Sequence, residues 1–491
     1  MGEALSLPGI TDVLGQWSEG EGPLYRRMAD RFRTAIDRGQ LTAGTMLPPE
    51  RHLAEALSVS RSTVVSAFED LKRSGHLEAR QGSGTWVRGR VRPADEGNRQ
   101  LVEQLDETAI LRDLSGAPTQ TVEFTAAAVD CAPEVMNAAA AMDPQLLQEW
   151  STGHGYSPQG SEAFREVVAQ RLTDIGLPTS AAQVLITGGA TQALLLAARL
   201  YLEPGAQAVL ETPGYPGAIS VLRGAGARLL GVDQDASGTR IDQLTEVVAR
   251  SLPRLVYLVP DFHNPTGGVL SERRRQEVVQ LAGDFHVPVI EDIVQRELWF
   301  DAPAPPPIAS FSDDAPILTI GSMSKVFWGG LRIGWIRGSQ DVIARMARMK
   351  AVTDFGAPIF SQLLSSQLLP HFDVTAEWRR RDLTRRLDVL TEALATHLPD
   401  WQFERPAGGL SVWAKLPSPT GDELVRRAAA HGVAVVPGST FAVDHRRHTD
   451  RIRLPFVAAP NVIEEDVRRL AEAWNSVDQA AERRTAPSVV V

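Results

Sequence analysis

The feature that most constrains this chain of 491 residues is an alternation of short apolar runs with helix-like segments. The apolar runs lie within "AQVLITGG", "AQAVLETPGY", "RLVYLVPDFHNPTG", "VPVIEDI" and "APILTIGSMSK", and most of them lead into a loop rich in Gly, Pro or polar residues. Buried strands that alternate with helices predict an α/β domain with a mostly parallel sheet, expected at residues 121–480. In such sheets functional residues lie on loops at the carboxyl ends of the strands.

Length and charge indicate a second, smaller module. A chain this long exceeds what one hydrophobic core usually serves. The net charge is −10, yet residues 21–92 hold 13 Arg or Lys against 8 Asp or Glu, a net charge of +5 that leaves −15 elsewhere. A basic module joined to an acidic one suggests a nucleic-acid contact near the N-terminus. A solvated basic face would look the same.

Cysteine content and hydropathy bear on location. Cys131 is the single cysteine, which favours a reducing compartment, and the cytoplasm is therefore expected. No segment approaches the roughly 18 to 20 apolar residues of a membrane span, and the start "MGEALSLPGITDVLGQW" lacks an export pattern. We expect no membrane partner and no metal site. Residues 1–20 are interpreted as an N-terminal arm, 88–120 as a flexible linker and 481–491 as a tail.

Residues 21–87 predict three helices and a hairpin. The apolar stripe of the first helix is Leu24, Met28, Phe32 and Ile36. The second helix is "ERHLAEAL", and the third begins after the N-cap Ser60, with a buried face of Val64, Ala67, Phe68 and Leu71. In a helix-turn-helix the exposed first turn of the last helix reaches base edges, and here that turn holds Arg61, Ser62 and Thr63. A protein-binding three-helix domain fits the same spacing.

The residue identities in this module are more specific than the spacing of its apolar residues. The stretch "LPPERHLAEALSVSRSTVVSAFEDLKRSGHLEARQGSGTWV" resembles the winged helix-turn-helix of GntR-type bacterial regulators, with Pro49 where serine is usual. The resemblance implies double-stranded operator DNA as a partner. It implies DNA contacts from Arg51, Ser60, Arg61, Thr63 and the wing around Gly82.

Several loops of the larger domain carry residues that fit either a functional or a purely structural role. The turn Gly188-Gly189-Ala190-Thr191 opens a helix, where backbone amides and the helix dipole favour an anion, but it also fits a simple tight turn. Asn264 lies in a possible turn, Asp292 fits a hydrogen-bonded strand end, and Lys325 taken alone fits an ordinary surface lysine.

The order of these residues along the chain favours the functional role over the structural one. Along the chain come an anion cradle, Tyr215, Asn264, Asp292, a Ser-x-Ser-Lys ending at Lys325, and Arg332. Pyridoxal 5′-phosphate (PLP) requires a lysine for a Schiff base, a carboxylate that keeps the pyridine nitrogen protonated, and an aromatic face against the ring. Its phosphate requires amides, hydroxyls and a guanidinium. The sequence therefore predicts PLP as the cofactor.

The larger domain resembles the fold-type I aminotransferases, and the chain from Leu24 to about Leu470 resembles the MocR/GabR-type branch of GntR regulators. The resemblance implies a multidomain fold: an N-terminal winged helix-turn-helix (α+β), then an α/β PLP-dependent transferase domain of fold type I with a large, mostly parallel sheet and a smaller C-terminal α+β subdomain. It also implies a homodimer.

The resemblance assigns roles position by position. Lys325 would hold PLP, Asp292 would pair with the pyridine nitrogen, Asn264 would donate to the ring oxygen O3′, and Tyr215 would stack on the ring. The phosphate would be bound by Ala190, Thr191, Ser322, Arg332 and, from across the dimer interface, Tyr156. In "RIRLPF", Arg453 would bind a substrate carboxylate.

Departures from the family pattern bear on turnover. Aminotransferases usually carry a tyrosine three residues after the pyridine aspartate, and the regulators two residues after; here these positions are Gln295 and Val294. Gln295 is able to donate a hydrogen bond to the cofactor but does not titrate as a phenol does. Gly329 replaces a usual proline, and His263 replaces a usual glutamine without an assigned role.

Three functions follow as hypotheses. In the leading one, a transcription regulator senses a small amino acid or amine effector that displaces Lys325 from its Schiff base with PLP. In the second, the protein is a working aminotransferase with a DNA-binding appendage. In the third, it regulates vitamin B6 synthesis and senses PLP itself.

Overall fold

The computed structural model describes residues 14, 17, 23–37, 41, 45–74, 76–80, 84–87, 122–418 and 421–485. The chain divides into two compact units, residues 1–104 and 105–491, and each is described by itself. The predicted linker at 88–120 and the predicted wing residue Gly82 lie outside the described residues.

The first unit has the predicted winged helix-turn-helix fold. Its elements are α1 (Leu24–Asp37), β1 (Met46–Leu47), α2 (Glu50–Ala56), α3 (Arg61–Arg73), β2 (Leu77–Arg80) and β3 (Gly84–Val87). The strands form an antiparallel sheet in the order β1-β3-β2. The sequence did not predict β1, since two residues are too few to show an alternating pattern.

The predicted faces form the core of this unit. The four residues predicted for the buried face of α3 are fully buried, and the rings of Phe32 and Phe68 meet edge to face at 5.8 Å. Leu14 and Trp17, from the segment interpreted as an arm, are buried in the same cluster. The core therefore includes residues that precede α1.

The second unit contains a seven-stranded, mostly parallel sheet in the order β5-β13-β12-β11-β10-β6-β7. Its strands are β5 (Val184–Thr187), β6 (Gln207–Glu211), β7 (Arg228–Val232), β10 (Leu255–Leu258), β11 (Val289–Asp292), β12 (Ile317–Ser322) and β13 (Gly334–Arg337). Only β13 is antiparallel to its neighbours. The five strands predicted from apolar runs are present; β7, a partly exposed edge strand, and β13 were not predicted.

Helices cover both faces of this sheet and lead into the smaller subdomain. They are α4 (Pro133–Ala140), α5 (Pro144–Trp150), α6 (Glu162–Asp174), α7 (Ala190–Tyr201), α8 (Pro216–Gly224), α9 (Ile241–Ser251), α10 (Glu272–Phe285), α11 (Gln340–Ala351), α12 (Ile359–Leu368) and α13 (Phe372–His397). A short hairpin of β8 (Gln234–Asp235) and β9 (Gly238–Thr239) follows β7.

The smaller subdomain has a four-stranded sheet in the order β14-β16-β15-β4. Its elements are β4 (Val122–Phe124), β14 (Ser411–Lys415), α14 (Gly421–Ala430), β15 (Val433–Pro437), β16 (Arg451–Pro455) and α15 (Pro460–Thr485). The first strand of the unit, β4, pairs in parallel with β15, about 300 residues later. The last helix extends five residues into the segment interpreted as a tail.

This topology positions the site. Five of the parallel strands, β5, β6, β10, β11 and β12, end at one edge of the sheet, and most of the candidate residues lie at their ends or on the segments that follow them there. In the described part of the chain no helix is long and apolar enough to cross a membrane.

Candidate cofactor site and candidate DNA interface

A cavity of about 250 Å³ lies at the carboxyl edge of the large sheet. Nine of the ten predicted cofactor residues line it: Ala190, Thr191, Tyr215, Asn264, Asp292, Gln295, Ser322, Lys325 and Arg332. They lie far apart in sequence and meet because their loops leave the same edge of the sheet. Tyr156 is the exception.

One wall of the cavity is built to hold an anion. Gly189 caps the N-terminus of α7 with φ of 117°, a conformation that favours glycine. Nη2 of Arg332 donates to the Gly188 carbonyl oxygen at 2.6 Å, which holds the guanidinium beside the first amides of α7. A Cβ at Gly334 would come within 2.8 Å of the Gly189 backbone, so this approach requires glycine there too. A helix N-terminus and a guanidinium together suit a phosphate.

Hydroxyl groups complete this wall. The Ser322 hydroxyl donates to the Ile333 carbonyl oxygen at 3.1 Å and accepts from the Ser324 amide at 3.1 Å. The Tyr215 hydroxyl is hydrogen-bonded to the Thr191 side chain, while burial raises the pKa of Tyr215. Tyr215 is therefore a neutral aromatic residue fixed against the helix that holds the anion.

Asp292 ends β11 at the opposite side of the cavity. The Val294 amide donates to its Oδ1 at 3.0 Å, and the Tyr257 hydroxyl donates to its Oδ2 at 2.8 Å. Burial raises the pKa of Asp292, while the Val294 amide, the Tyr257 hydroxyl and the Lys325 charge oppose that rise. The carboxylate is thus fixed in orientation by two donors.

The sequence did not identify Tyr257. It lies inside the buried run of β10 rather than on a loop, and a tyrosine between Val and Leu is predicted to be a core residue. Burial, and then the Asp292 charge, hold its pKa well above the usual range, so it stays protonated and remains a donor. The parallel register pairs Tyr257 with Ile290, which places Asp292 on the same face two residues further on.

Lys325 lies half-buried in the loop that follows β12. Its Nζ donates to the Ala127 carbonyl oxygen at 2.7 Å. Burial, and secondarily the positive charge of Arg453, lower the pKa of Lys325 to about 8, against a smaller opposing effect of Asp292. A substantial fraction of the amine is therefore neutral, and nucleophilic, near physiological pH.

Two predicted residues lie outside this cavity wall. Nη2 of Arg453 donates to the Thr125 carbonyl oxygen, and its guanidinium lies 5.1 Å from the centre of the Phe441 ring. Tyr156 is 64% exposed, and its ring is 5.2 Å from that of Phe355. Arg453 is close enough for its charge to affect Lys325, whereas Tyr156 does not line the cavity of its own chain.

His263 is buried between the side chains of Glu211 and Thr266. Its Nε2 lies 3.3 Å from Glu211 Oε2, and its Nδ1 lies 3.0 Å from the Thr266 hydroxyl. The same carboxylate accepts from the Thr239 hydroxyl at 2.6 Å and from the Val259 amide at 2.8 Å. These contacts join the Asn264 loop to the end of β6, so His263 has a structural role.

The predicted DNA contacts lie around the first turn of α3. Ser60 is its N-cap and accepts from the Thr63 amide at 3.2 Å, as predicted. The Arg61 side chain is 71% exposed and lies 4.0 Å from Glu50; that of Arg51 is 78% exposed and lies 3.3 Å from Glu55. Ser62 is also exposed. Arg61 and Ser62 thus face solvent at the first turn of α3, and Arg51 faces solvent at the first turn of α2.

The fold and the site define a DNA-binding regulator joined to a PLP-dependent, enzyme-like domain. Residues 123–473 match the family of aminotransferases of class I and II, and residues 24–87 match the gntR family of bacterial regulatory proteins. The chain belongs to the MocR/GabR-type branch of the GntR regulators, which combines these two domains.

Similar proteins span both units. An uncharacterised HTH-type transcriptional regulator, YdfD of Bacillus subtilis, is 30% identical over 453 residues, which cover 89% of this chain and 93% of YdfD. The HTH-type transcriptional regulator TauR of Rhodobacter capsulatus is 28% identical, with 92% of this chain and 97% of TauR covered. The solved structure of LysN, an alpha-aminoadipate aminotransferase of Thermus thermophilus in complex with N-(5′-phosphopyridoxyl)-L-leucine, is 30% identical with a TM-score of 0.69, and covers 76% of this chain and 96% of its own.

Pyridoxal phosphate is the cofactor of this family, and the cavity fits it. The anion wall suits the phosphate of PLP, and the doubly hydrogen-bonded Asp292 suits its pyridine nitrogen. The amine of Lys325 suits the group that forms the Schiff base. In addition, the side-chain oxygen of Asn264 is buried with no hydrogen-bond partner among the described residues. This oxygen is a hydrogen-bond acceptor that a donor group of a bound ligand would satisfy.

The lowered pKa of Lys325 predicts how the cofactor-free protein takes up PLP. Since the neutral amine attacks, the uptake rate should rise about fivefold from pH 7 to pH 8 and less than twofold from pH 8 to pH 9. Stopped-flow absorbance of PLP binding measures this profile. A lysine with an ordinary pKa would show a rise of about tenfold per pH unit throughout this range. In Arg453→Gln, which removes a nearby positive charge, the midpoint should move to higher pH.

The hydrogen bond from Tyr257 to Asp292 predicts the pH at which bound PLP loses its absorbance on acidification. Tyr257→Phe removes one of the two hydrogen-bond donors to the Asp292 carboxylate that oppose the rise of its pKa, so this pKa should rise further. Titration of the bound-PLP absorbance below pH 7 would then show its acid transition at higher pH than in the wild type. Tyr201→Phe, at the opposite edge of the sheet, is the matched control. Identical acid transitions in the two variants would contradict the inferred contact.

Proposed function

We propose that this protein is a transcription regulator that senses an amino acid or amine through its PLP-bearing unit and transmits ligand occupancy to operator binding. One observation carries the proposal: nine of the ten residues predicted to hold the cofactor line a single cavity, while Val294 and Gln295 stand at the two positions where the family places a phenol. Such a site is equipped to hold PLP and to exchange amines. It lacks the phenol that would assist transamination.

The roles of the individual residues follow from their contacts. When bound, PLP supplies an electrophilic carbon that reacts with primary amines. Arg332, Ser322 and the first amides of α7 would hold its phosphate, and Tyr215 would pack against its ring. Asp292 would face the pyridine nitrogen and Asn264 the ring oxygen. Lys325, with a pKa of about 8, is able both to take up and to release a proton at Nζ near neutral pH.

The surroundings of Arg453 support a carboxylate on the effector. Its guanidinium is 6% exposed, lies against Phe441 and is close enough to Lys325 to lower that pKa. A buried cation near the amine-reacting group suits a molecule that carries an amine and a carboxylate on neighbouring atoms. We therefore propose an amino acid in preference to a simple amine.

The proposed regulator acts as a homodimer. Exposed aromatic residues of the second unit, Tyr156, Phe355 and Phe360, lie on the region expected to meet a second copy, where Tyr156 would approach the partner's phosphate. Two copies would present two winged helices to two half-sites of double-stranded operator DNA. As a regulator of bacterial DNA it would act in the cytoplasm. The effector changes operator affinity to the extent that it binds two states of the dimer differently.

A parallel titration tests the proposal. PLP-loaded protein is titrated with a panel of amino acids and amines, and both the visible absorbance and operator binding in a gel-shift assay are followed. The proposal requires one ligand that changes both readouts with the same midpoint. It fails if ligands that change the absorbance leave operator binding unaltered.

The working aminotransferase is the rival supported by the LysN-like site. It requires sustained product formation from an amino acid in the presence of a ketoacid, with operator binding insensitive to either. Sensing of PLP itself requires that operator affinity differ between the cofactor-free and PLP-loaded proteins with no amino acid present. The same gel-shift assay separates all three functions.

A further inference from the structure

A second cavity, of about 690 Å³, opens at the amino edge of the large sheet, opposite the cofactor cavity. Its walls are the loops that precede β6, β10 and β11, together with α11. Three arginines and one histidine, from four different segments, line it: Arg199, Arg254, Arg345 and His286. Glu203 is the one carboxylate among its described lining residues. We call this feature the basic cleft.

The arginines of the basic cleft have no hydrogen-bond or ion-pair partner in the part of the chain that the structure describes. Within the described residues, the side chains of Arg199, Arg254 and Arg345 form no hydrogen bond or salt bridge. In contrast Arg250, near the end of α9, pairs with Glu246 at 3.1 Å. Like charges around one cavity repel one another. Three exposed guanidinium groups that have no partner among the described residues thus line one cavity, where a single anion would reduce their mutual repulsion.

Helix dipoles explain only part of this cluster. The helices α7, α9 and α10 end at the basic cleft, and basic groups stabilise helix C-termini. This effect accounts for Arg199, in the last turn of α7, and for His286, the C-cap of α10. It does not account for Arg254, on the loop before β10, or for Arg345, in the middle of α11.

The lining indicates the chemistry of the anion. A guanidinium binds phosphate through two parallel hydrogen bonds, and several arginines suit more than one phosphate oxygen. Tyr201 and the 37% exposed Phe285 add an aromatic wall, and the volume lies in the range of small-molecule sites. We propose that the basic cleft binds a phosphate ester. The phosphate group comes either from a free, nucleotide-sized molecule or from the backbone of the bound DNA.

Calorimetry on the PLP-loaded protein tests the free molecule. PLP loading keeps the anion wall near Arg332 filled, so that added phosphate compounds report on the basic cleft. Adenosine diphosphate and inorganic pyrophosphate are the probes. Saturable binding is expected for the wild type, and the double variant Arg254→Gln/Arg345→Gln should bind at least about tenfold more weakly. Arg250→Gln, an exposed arginine that has a partner, is the matched control and should bind like the wild type.

The salt dependence of operator binding tests the DNA backbone. Each phosphate contact adds about 0.9 to the slope of log affinity against log salt, so the double variant should lower that slope by about two if the basic cleft contacts DNA. Loss of probe binding with an unchanged slope identifies a free phosphate ester; a reduced slope identifies DNA. The proposal is overturned if the wild type binds neither probe and the slope is unchanged, or if Arg250→Gln causes the same losses as the double variant. An unchanged PLP absorbance in every variant verifies the fold.

Discussion

Replacement of Lys325 by Ala is expected to abolish both the visible absorbance of lysine-linked PLP and the response of operator binding to the effector. The reason is chemical: Lys325 supplies the only side-chain amine among the described residues that line the cofactor cavity, and its pKa of about 8 leaves a fraction of it neutral near physiological pH. Alanine leaves no nitrogen for the exchange. Absorbance after gel filtration and a gel shift with and without the effector measure the two losses.

The fold should survive this change. Burial of an ionisable amine is unfavourable, so an alanine at this position does not weaken the core as the loss of a buried apolar side chain would. Lys415→Ala removes an exposed lysine from β14 of the same unit and should leave absorbance and response intact. An effector response that persists in Lys325→Ala, with circular dichroism unchanged, would exclude amine exchange at Lys325 as the sensing step.

Replacement of Arg61 by Ala is expected to weaken operator binding by about 1–3 kcal/mol, or roughly 5- to 150-fold. The Arg61 side chain is 71% exposed at the first turn of α3, and its distance of 4.0 Å from Glu50 leaves it little restrained. Fluorescence anisotropy with a labelled operator, at fixed salt, measures the loss. The PLP absorbance should not change, since Arg61 lies in the other unit.

Arg73→Ala provides the comparison for Arg61. Arg73 is exposed in the last turn of the same helix, at the end opposite the predicted DNA contacts. Both variants remove one positive charge, so a purely electrostatic attraction to DNA would weaken equally in the two. We expect a loss of less than about threefold for Arg73→Ala. Equal losses of operator affinity in the two variants would contradict a direct contact between Arg61 and the operator.

The sequence alone predicted features that depend on local order. Fourfold apolar spacing and the Ser60 cap placed the helices of the first unit, because helix formation is set by neighbours within a few residues. Apolar runs placed five strands of the large sheet. The order of Gly189, Asp292 and Lys325 predicted the cofactor, since loops at the ends of parallel strands must meet at one edge.

The tertiary structure decided whatever depends on residues distant in sequence. Tyr257 bonds to Asp292 because of the register between β10 and β11, which no local pattern encodes. The strand β4 joins the C-terminal sheet for the same reason. The pKa of Lys325 is set by burial and by Arg453, 128 positions away, and desolvation exists only once the chain has packed. The sequence therefore determined which residues this protein has for its chemistry, and the packing of those residues determined their charge and their partners.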